Sequence, residues 1–274
     1  MARRVAARMP CTVWNRTRTR AEALSDVAAR IATTPREAVR GAGVVVTCLA
    51  DAKALQEVLT GDDGLLAGVG SNVVVVDMST IGRAAAREAA RAIEARGARF
   101  VDAPVSGSVG PAERGELLAL VGGADSDVQR AMPVLSVMCS RFLRAGGVGQ
   151  GQALKVVLNG VGAHHFVAFA SMLALGERAG LTRETLVEAF TTGAFATPSY
   201  VSKRARVLGR DYASPEFTLG LALKDGALNL ALQQEVGLTL PVQSEITREV
   251  AQAVGEGLGE EDLFALEKYF TSKR

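Results

Sequence analysis

The sequence predicts an α/β domain with a doubly wound parallel sheet over residues 1–148, followed by an all-helical domain over residues 149–274. Two observations predict this order. In the first part, continuous Val and Leu runs alternate with helix-like segments, and such runs indicate strands that are buried on both faces. In the second part, no strand-like run of comparable strength follows Gly151. The glycine-rich stretch Gly146–Gly151 therefore marks the predicted boundary.

The elements of the α/β domain follow from these runs. Its predicted strands are Cys11–Trp14, Val44–Leu49, Val73–Val76, Arg99–Asp102, Leu117–Val121 and Arg141–Arg144. Its predicted helices are Arg18–Arg30, Ala52–Leu59, Ala84–Arg96 and Asp127–Met138. This alternation is typical of strands that join one parallel sheet through crossover helices.

The second domain opens with a long apolar segment, Gln152–Ala179, which Gly180 ends. Shorter helices are predicted at Arg183–Thr191, Pro198–Leu208, Gly220–Val236, Pro241–Gly255 and Glu260–Tyr269. The second domain is therefore predicted to contain helices without a sheet.

Composition narrows the classes of function. Hydrophobic residues make up 48% and charged residues 22% of the chain, and the formal net charge is +2. These values are typical of a globular protein and give no reason to expect a nucleic acid or a membrane as partner. No apolar run reaches the roughly 18 residues that a membrane span needs. Cys11, Cys48 and Cys139 lack metal-ligand spacing, so we expect no metal site and buried, reduced thiols in a cytoplasmic protein.

The opening twenty residues carry six arginines and no acid. One interpretation is a helix with a solvated basic face that runs into the first strand. The alternative is a mitochondrial transit peptide, which is also rich in arginine and poor in acids. We favour the first interpretation because Cys11–Trp14 already forms part of the predicted fold.

Two polar segments directly follow predicted strands, where open parallel sheets bind their ligands. In Asp77-Met-Ser-Thr80 the small hydroxyl side chains suit a ribose or a carboxylate, although Ser79 or Thr80 could instead cap the next helix. In Asp102-Ala-Pro-Val-Ser-Gly-Ser108 the small residues would let a substrate carboxylate reach backbone N–H groups and the Ser106 hydroxyl. A polar turn without function is the alternative for this second segment.

A third segment places Lys155 and Asn159 four residues apart, on one face of the predicted apolar helix. A lysine in apolar surroundings is costly to desolvate, and desolvation lowers its pKa towards the range in which it exchanges protons near neutral pH. The alternative is a lysine that extends its ammonium group into solvent at the helix start. Lys224-Asp225 also lies within an apolar helix, either as an exposed ion pair or as part of a cleft.

Together these segments resemble the β-hydroxyacid dehydrogenase family, which includes 3-hydroxyisobutyrate dehydrogenase and, more distantly, 6-phosphogluconate dehydrogenase. The matches occur in the family's order: Asp77–Thr80, Asp102–Gly107, the Gly-x-Gly-x-x-x-Lys-x-x-Asn signature from Gly149 to Asn159, and the late Lys-Asp helix from Phe217 to Asp225. The resemblance covers nearly the whole chain. It implies a Rossmann-type domain joined by a long helix to an all-α domain, in a homodimer or homotetramer.

The resemblance also implies an activity and residue roles. The protein would be an NAD(P)-dependent oxidoreductase that interconverts a small β-hydroxyacid and its semialdehyde by hydride transfer. Lys155 would be the general acid/base, and Asn159 would hold the oxygens of the substrate. The implied substrate-binding residues are Ser106, Gly107 and Ser108, and the implied cofactor-binding residues are Asn15, Arg16, Thr17, Leu49, Thr80, Lys224 and Asp225. An imine reductase is an alternative activity, but a lysine acid/base favours carbonyl substrates.

The end of the first predicted strand indicates which cofactor is bound. An acidic residue at the end of the second family strand would bind the ribose hydroxyls of NAD. Here that place is taken by Asn15-Arg16-Thr17, and a guanidinium group binds phosphate well. We therefore predict NADP as the cofactor, with NAD possible.

The chain departs from the family pattern at three places. Gly160 follows the matched asparagine where an amide residue is usual, and Ser108 stands where glycine is usual. No Gly-x-Gly-x-x-Gly turn, the usual pyrophosphate site, occurs in the sequence, and the family's first strand has no counterpart. Three explanations are open: an internal methionine of a longer reading frame, which we favour; a truncated chain that binds its cofactor weakly; or a non-enzymatic relative kept for oligomerisation or binding.

Overall fold

Strands and helices alternate through the first unit of the computed structural model, Met1–Val156. Its strands are β1 Thr12–Val13, β2 Arg30–Ile31, β3 Val44–Thr47, β4 Val74–Asp77, β5 Arg99–Asp102, β6 Val105–Ser106, β7 Leu117–Gly122 and β8 Cys139–Gly146. Its helices are α1 Ala2–Ala6, α2 Arg18–Glu22, α3 Pro35–Val39, α4 Ala52–Leu59, α5 Arg83–Glu94, α6 Val109–Arg114, α7 Asp125–Met138 and the start of α8 Gln150–Arg178. The structure describes residues 1–27 and 30–273; residues 28 and 29, which fall in the predicted helix Arg18–Arg30, and residue 274 lie outside the described part.

The main sheet has six strands in the order β3-β4-β5-β7-β6, with β8 also paired to β7. Strands β3, β4 and β5 are parallel, as are β7 and β8, whereas β7 runs antiparallel to β5 and β6. The predicted doubly wound α/β fold is confirmed with a parallel-dominated sheet, in which β7 is the antiparallel exception. Strand β6 follows β5 after two residues and runs in the same direction. The chain then returns through the short helix α6, so β7 lies between β5 and β6 and is antiparallel to both.

A separate two-stranded parallel sheet joins β1 to β2 within the described residues. The strands β1 and β3 do not pair with each other there. Instead, residues of both strands line one cleft of about 1630 Å³. The carboxyl ends of β1 and β3 therefore open onto a common space in the first unit.

Strand β4 shows why continuous valine runs predicted a buried sheet. Val75 packs into an apolar cluster with Ile93 of α5, whereas Val74 and Val76 pack into a second cluster with Leu135 of α7. Successive side chains of a strand point to opposite faces, so helices cover both faces of the sheet. The buried valine run is the local sequence feature that fixes this layering.

The second unit, Val157–Arg274, contains helices joined by short connections and no strand among its described residues. After α8 it contains α9 Arg183–Thr192, α10 Pro198–Gly209, α11 Leu219–Val236, α12 Pro241–Ala253 and α13 Leu266–Ser272. Its core is an aromatic and aliphatic cluster that includes Phe169, Tyr200, Tyr212, Phe264 and Tyr269. The helical domain that the sequence predicts is confirmed as a fold class, and the predicted boundary at 148/149 stays a prediction.

Several local predictions are wrong. Helix α2 ends at Glu22, and Arg30 belongs to β2. The last predicted helix begins only at Leu266, because a short 3-10 turn precedes it, in which the Asp262 carboxylate accepts a hydrogen bond from Phe264 N at 3.3 Å. The thiols are also less buried than expected, since Cys48 is exposed. These errors fall at ends of elements and in short segments, where periodicity carries little information.

Helix α8 has the length and composition of a membrane span, contrary to the expectation that no segment does. Its most apolar 18-residue stretch has a mean hydropathy of 1.4, and 28% of that stretch is buried. A single helix of this kind is a weak indication of a membrane, because a core helix of a soluble protein passes the same test. Its exposed apolar side chains include Val157, Leu158, Val161, Met172 and Leu175.

Candidate functional site

The residues that the sequence singles out divide between the two units. The first unit carries Asn15, Arg16, Thr17, Leu49, Thr80, Ser106, Gly107, Ser108 and Lys155, and the second carries Asn159, Lys224 and Asp225. Lys155 and Asn159 lie four residues apart on the continuous helix α8.

Three polar residues lie side by side at the carboxyl ends of β3, β4 and β5. Strand register pairs Thr47 with Asp77 and Asp77 with Asp102. The Thr47 hydroxyl donates to Asp77 Oδ1 at 2.7 Å, and the Ser79 hydroxyl donates to the same oxygen at 2.8 Å. Ser79 Oγ in turn accepts a hydrogen bond from Leu49 N at 2.8 Å. Asp77 therefore fixes both loops, those of Leu49 and of Thr80, at the edge where parallel sheets bind ligands.

The Asp102 carboxylate lies at the start of α8. Its Oδ1 accepts a hydrogen bond from Gly149 N at 2.7 Å, and its Oδ2 accepts one from Gln152 N at 2.8 Å. Gly149 directly precedes α8 and Gln152 lies in its first turn, where backbone N–H groups have no partner within the helix. Burial raises the pKa of the Asp102 carboxyl, and the hydrogen bonds from Gly149 and Gln152 act in the opposite direction.

Gln152 connects the same helix start to the turn that contains Thr80. Its Oε1 accepts hydrogen bonds from Ile81 N at 3.0 Å and Gly82 N at 3.1 Å, and its Nε2 donates to Ser79 O at 2.8 Å. The side chain is fully buried. Sequence reasoning missed Gln152, and it took Asp102 only as part of a loop; the available signal was a polar residue in an otherwise apolar helix start.

Gly151, the second glycine of the Gly-x-Gly signature, allows close packing. A Cβ atom there would lie 2.3 Å from the carbonyl oxygen of Leu120 and 2.8 Å from Asp102 Oδ2. Such contacts are far shorter than real Cβ contacts, so α8 can approach β5 and β7 this closely only with glycine at this position.

The proposed substrate loop forms the end of β6 and the start of α6. Ser106 is the last residue of β6 and is half-buried, whereas Gly107 and Ser108 are exposed. Gly107 has φ +132°, and a Cβ atom on it would lie 2.7 Å from Leu117 Cδ2. The glycine is therefore required by both the backbone conformation and the packing against β7.

Four of the predicted cofactor residues line the cleft between β1 and β3: Asn15, Arg16, Thr17 and Leu49. Asn15 Oδ1 accepts a hydrogen bond from Thr17 N at 2.9 Å, which shapes the turn after β1. The Arg16 side chain is 83% exposed and lies 3.7 Å from Glu57 Oε2. An exposed guanidinium group at the end of a parallel strand fits a phosphate of a dinucleotide.

In the second unit, Asp225 contacts both of the other site residues, Asn159 and Lys224. Asn159 Nδ2 donates to Asp225 Oδ2 at 2.6 Å, and Lys224 Nζ lies 3.2 Å from Asp225 Oδ1. The Asp225 side chain is buried, so the alternative of an exposed ion pair is wrong. Asp225 thereby orients the amide of Asn159 on α8, which leaves the amide oxygen as its hydrogen-bond acceptor. Among the residues that the structure describes, no group of three His, Cys, Asp or Glu side chains could hold a metal ion.

The burial of Asp77 leads to a pH-dependent stability. Burial raises the pKa of its carboxyl from 3.8 to about 6, although the hydrogen bonds from Thr47 and Ser79 oppose this. The folded protein then binds this proton more tightly than the unfolded chain does, so the stabilisation is fully present below about pH 4 and is lost as the pH rises through about 6. In urea denaturation from pH 4 to 7, wild type relative to Asp77→Asn should lose on the order of 3 kcal/mol of its free energy of unfolding. A difference between the two proteins that does not change with pH would contradict this.

Comparisons with known proteins agree with this arrangement. Residues 1–147 match the family of the NAD binding domain of 6-phosphogluconate dehydrogenase, and residues 149–270 match the NAD-binding domain of NADP-dependent 3-hydroxyisobutyrate dehydrogenase. The chloroplastic glyoxylate/succinic semialdehyde reductase 2 of Arabidopsis thaliana is 32% identical over 255 residues, which cover 93% of this chain and 71% of that protein.

Solved structures show the same fold. The crystal structure of 3-hydroxyisobutyrate dehydrogenase from Salmonella typhimurium is 26% identical, with a TM-score of 0.89 and coverage of 98% of this chain and 94% of that one. A structure described as Psf3 in complex with NADP+ and 2-OPP is also 26% identical, with a TM-score of 0.87 and coverage of 98% and 94%. Both alignments extend across the α/β and the helical parts.

Proposed function

This chain belongs to the β-hydroxyacid dehydrogenase family of NAD(P)-dependent oxidoreductases, and from that premise we propose that it reduces a small aldehyde acid to the hydroxyacid with Lys155 as the proton donor. The observation that carries this proposal is the place of Lys155. It lies on the second turn of α8, whose first turn is fixed by Asp102 and Gln152 to the carboxyl ends of β4 and β5. That edge of an open parallel sheet is where ligands bind.

The proposed reaction is hydride transfer to an aldehyde carbon, coupled to proton transfer from Lys155. NADPH, when bound, would supply the hydride. Lys155 donates a proton to the carbonyl oxygen, and in the reverse direction it accepts the hydroxyl proton. Asn159, oriented by Asp225, hydrogen-bonds the reacting oxygens, and Ser106, Gly107 and Ser108 bind the substrate carboxylate with hydroxyl and backbone N–H groups. Under this proposal residues 1–148 form the main dinucleotide-binding domain, and residues 149–274 form a helical domain for substrate contacts and oligomerisation.

We propose NADP as the preferred cofactor, with NAD as a weaker substitute. The support is the exposed Arg16 guanidinium with Asn15 and Thr17 at the mouth of the β1–β3 cleft, where a 2′-phosphate would be bound. Leu49 and Thr80 would contact the cofactor from the loops that Asp77 fixes, and Lys224 and Asp225 are proposed as further cofactor-binding residues. The matched family of residues 149–270 is itself NADP-dependent.

The substrate class is a short aldehyde that carries a carboxylate. One relative acts on glyoxylate and succinic semialdehyde, and a structural neighbour is a 3-hydroxyisobutyrate dehydrogenase. We also propose a cytoplasmic homodimer or homotetramer. The exposed apolar side chains of α8, such as Val161 and Leu175, would lie in the subunit interface, and sedimentation velocity would show a monomer if this is wrong.

A substrate screen tests the proposed function. We expect NADPH oxidation with glyoxylate or succinic semialdehyde, or NADP+ reduction with 3-hydroxyisobutyrate, and a higher kcat/KM with the phosphorylated cofactor than with NADH or NAD+. Stopped assays at several pH values would measure each rate. Binding of NADPH without turnover of any small hydroxyacid or aldehyde acid would contradict the proposal and would favour the non-enzymatic alternative.

A further inference from the structure

We infer that Asp102 and Gln152 are positioning residues for the reaction, because together they fix the start of α8 and thereby set the position of Lys155. This inference rests on the proposed role of Lys155. Neither side chain is assigned a contact with substrate or cofactor. Their contribution would pass through the backbone of the helix that carries the acid/base.

The Asp102 carboxylate holds the start of α8. Asp102 is fully buried at the end of β5, and its two carboxylate oxygens each accept a hydrogen bond from a backbone N–H, of Gly149 and of Gln152. Two bonds to different residues of one turn restrict both the translation and the rotation of α8. A charged acceptor also makes these bonds shorter and stronger than bonds between neutral groups.

Gln152 connects α8 to the turn that precedes α5. Its side chain leaves α8 and satisfies the N–H groups of Ile81 and Gly82, at the start of α5. Gly82 is the N-cap residue of α5, and no side chain of its own caps that helix. The bond from Gln152 Nε2 to Ser79 O completes the connection, so the Thr80 turn and α8 are fixed relative to each other.

The start of α8 packs closely against β5 and β7. Gly151 leaves no space for a side chain against Leu120 and Asp102, and a Cβ atom on Gly122 would lie 2.6 Å from Asp102 Oδ1. A helix in such tight contact has little freedom to settle into a second position. Lys155 is three residues beyond Gln152, a rise of about 4.5 Å along the helix, so a shift of the first turn moves the ammonium group directly.

The test compares Asp102→Asn and Gln152→Met with wild type at saturating NADPH. We expect kcat to fall roughly 10- to 100-fold, because a displaced proton donor loses its alignment. The KM for the aldehyde and the Kd for NADPH should change less than about threefold, since neither residue binds them. The pH profile of kcat should shift from that of wild type, because the surroundings of the proton donor change.

The matched control is Asp262→Asn in the second unit. Asp262 is also a buried carboxylate that accepts backbone hydrogen bonds, from Glu216 N at 3.2 Å and Phe264 N at 3.3 Å, and its ion-pair partners Lys203 and Arg206 belong to α10. This variant should lower the Tm while kcat and its pH profile stay as in wild type. If Asp102→Asn fails to fold, then Gln152→Met and the milder Gln152→Glu decide the question.

The outcomes separate this inference from the proposed function. Variants that lower the Tm but keep the wild-type kcat and pH profile would overturn the positioning role and leave Lys155 catalysis intact. A 10- to 100-fold rise in KM with unchanged kcat would overturn the positioning role as well, because the residues would then act in substrate binding. A Lys155→Met enzyme with full activity would instead refute the proposed function, and the positioning role with it.

Discussion

Lys155→Met is expected to lower kcat by roughly 10²- to 10⁴-fold, the usual contribution of a general acid or base. Methionine preserves the length and the apolar stem of lysine but has no proton to give. Because Lys155 is half-buried beside a fixed helix start, water would replace its ammonium group poorly. Steady-state kinetics at saturating NADPH would measure the loss, and circular dichroism would show that the helices remain.

Two further variants sharpen this experiment. Lys155→Arg keeps the positive charge, but a guanidinium group does not release its proton near neutral pH. If Lys155 acts by proton transfer, arginine should be nearly as inactive as methionine; if it acts by charge alone, arginine should restore most of the activity. The control is Lys268→Met, which removes an exposed lysine that is paired with Glu261 in the second unit, and it should leave kcat unchanged.

Glu267→Gln is expected to reduce the free energy of unfolding by about 3 kcal/mol, the cost of leaving a buried charge without its partner. Glu267 is 2% exposed and accepts hydrogen bonds from Arg183 Nη2 at 2.9 Å and from the Tyr212 hydroxyl at 3.2 Å. Arg183 would retain Glu177, at 2.8 Å, as its ion-pair partner. Its charge would therefore be only partly compensated inside the helical core.

Urea denaturation would measure this change. The matched control is Glu188→Gln, in an exposed ion pair with Arg204, which should cost less than about 1 kcal/mol. Replacing both Arg183 and Glu267 by leucine should recover part of the loss, because both buried charges are removed together and Glu177 keeps Arg210 as its partner at 3.4 Å. A Glu267→Gln protein within about 0.5 kcal/mol of wild type would show that the buried ion pair contributes little net stability.

The elements that the sequence predicts well are those with strong periodicity. The predicted bounds of α4 and β5 agree with the structure, and the valine run of β4 is shifted by one residue. The two-residue strands β2 and β6 were missed, since two residues give no periodic signal. Helix α6 was also missed, because it contains Gly110 and Pro111, which favour turns.

The candidate site was predictable residue by residue, but its connections were not. Sequence motifs selected Lys155, Asn159 and Asp225 separately, whereas the hydrogen bond from Asn159 to Asp225 depends on the packing of α8 against α11. The role of Asp102 likewise depends on how closely α8 approaches β5. Tertiary contacts of this kind join residues that are about 50 or more positions apart, and local pattern carries no information about them.

The most direct test of the account is hydride transfer itself. The protein would be incubated with an aldehyde acid that it turns over and with NADPH in which deuterium replaces both hydrogens on C4 of the nicotinamide. Mass spectrometry of the hydroxyacid should find one deuterium, bonded to the carbon that was the carbonyl carbon. A hydroxyacid without deuterium, or bound NADPH that forms no product, would contradict the assignment of this chain as a hydroxyacid dehydrogenase.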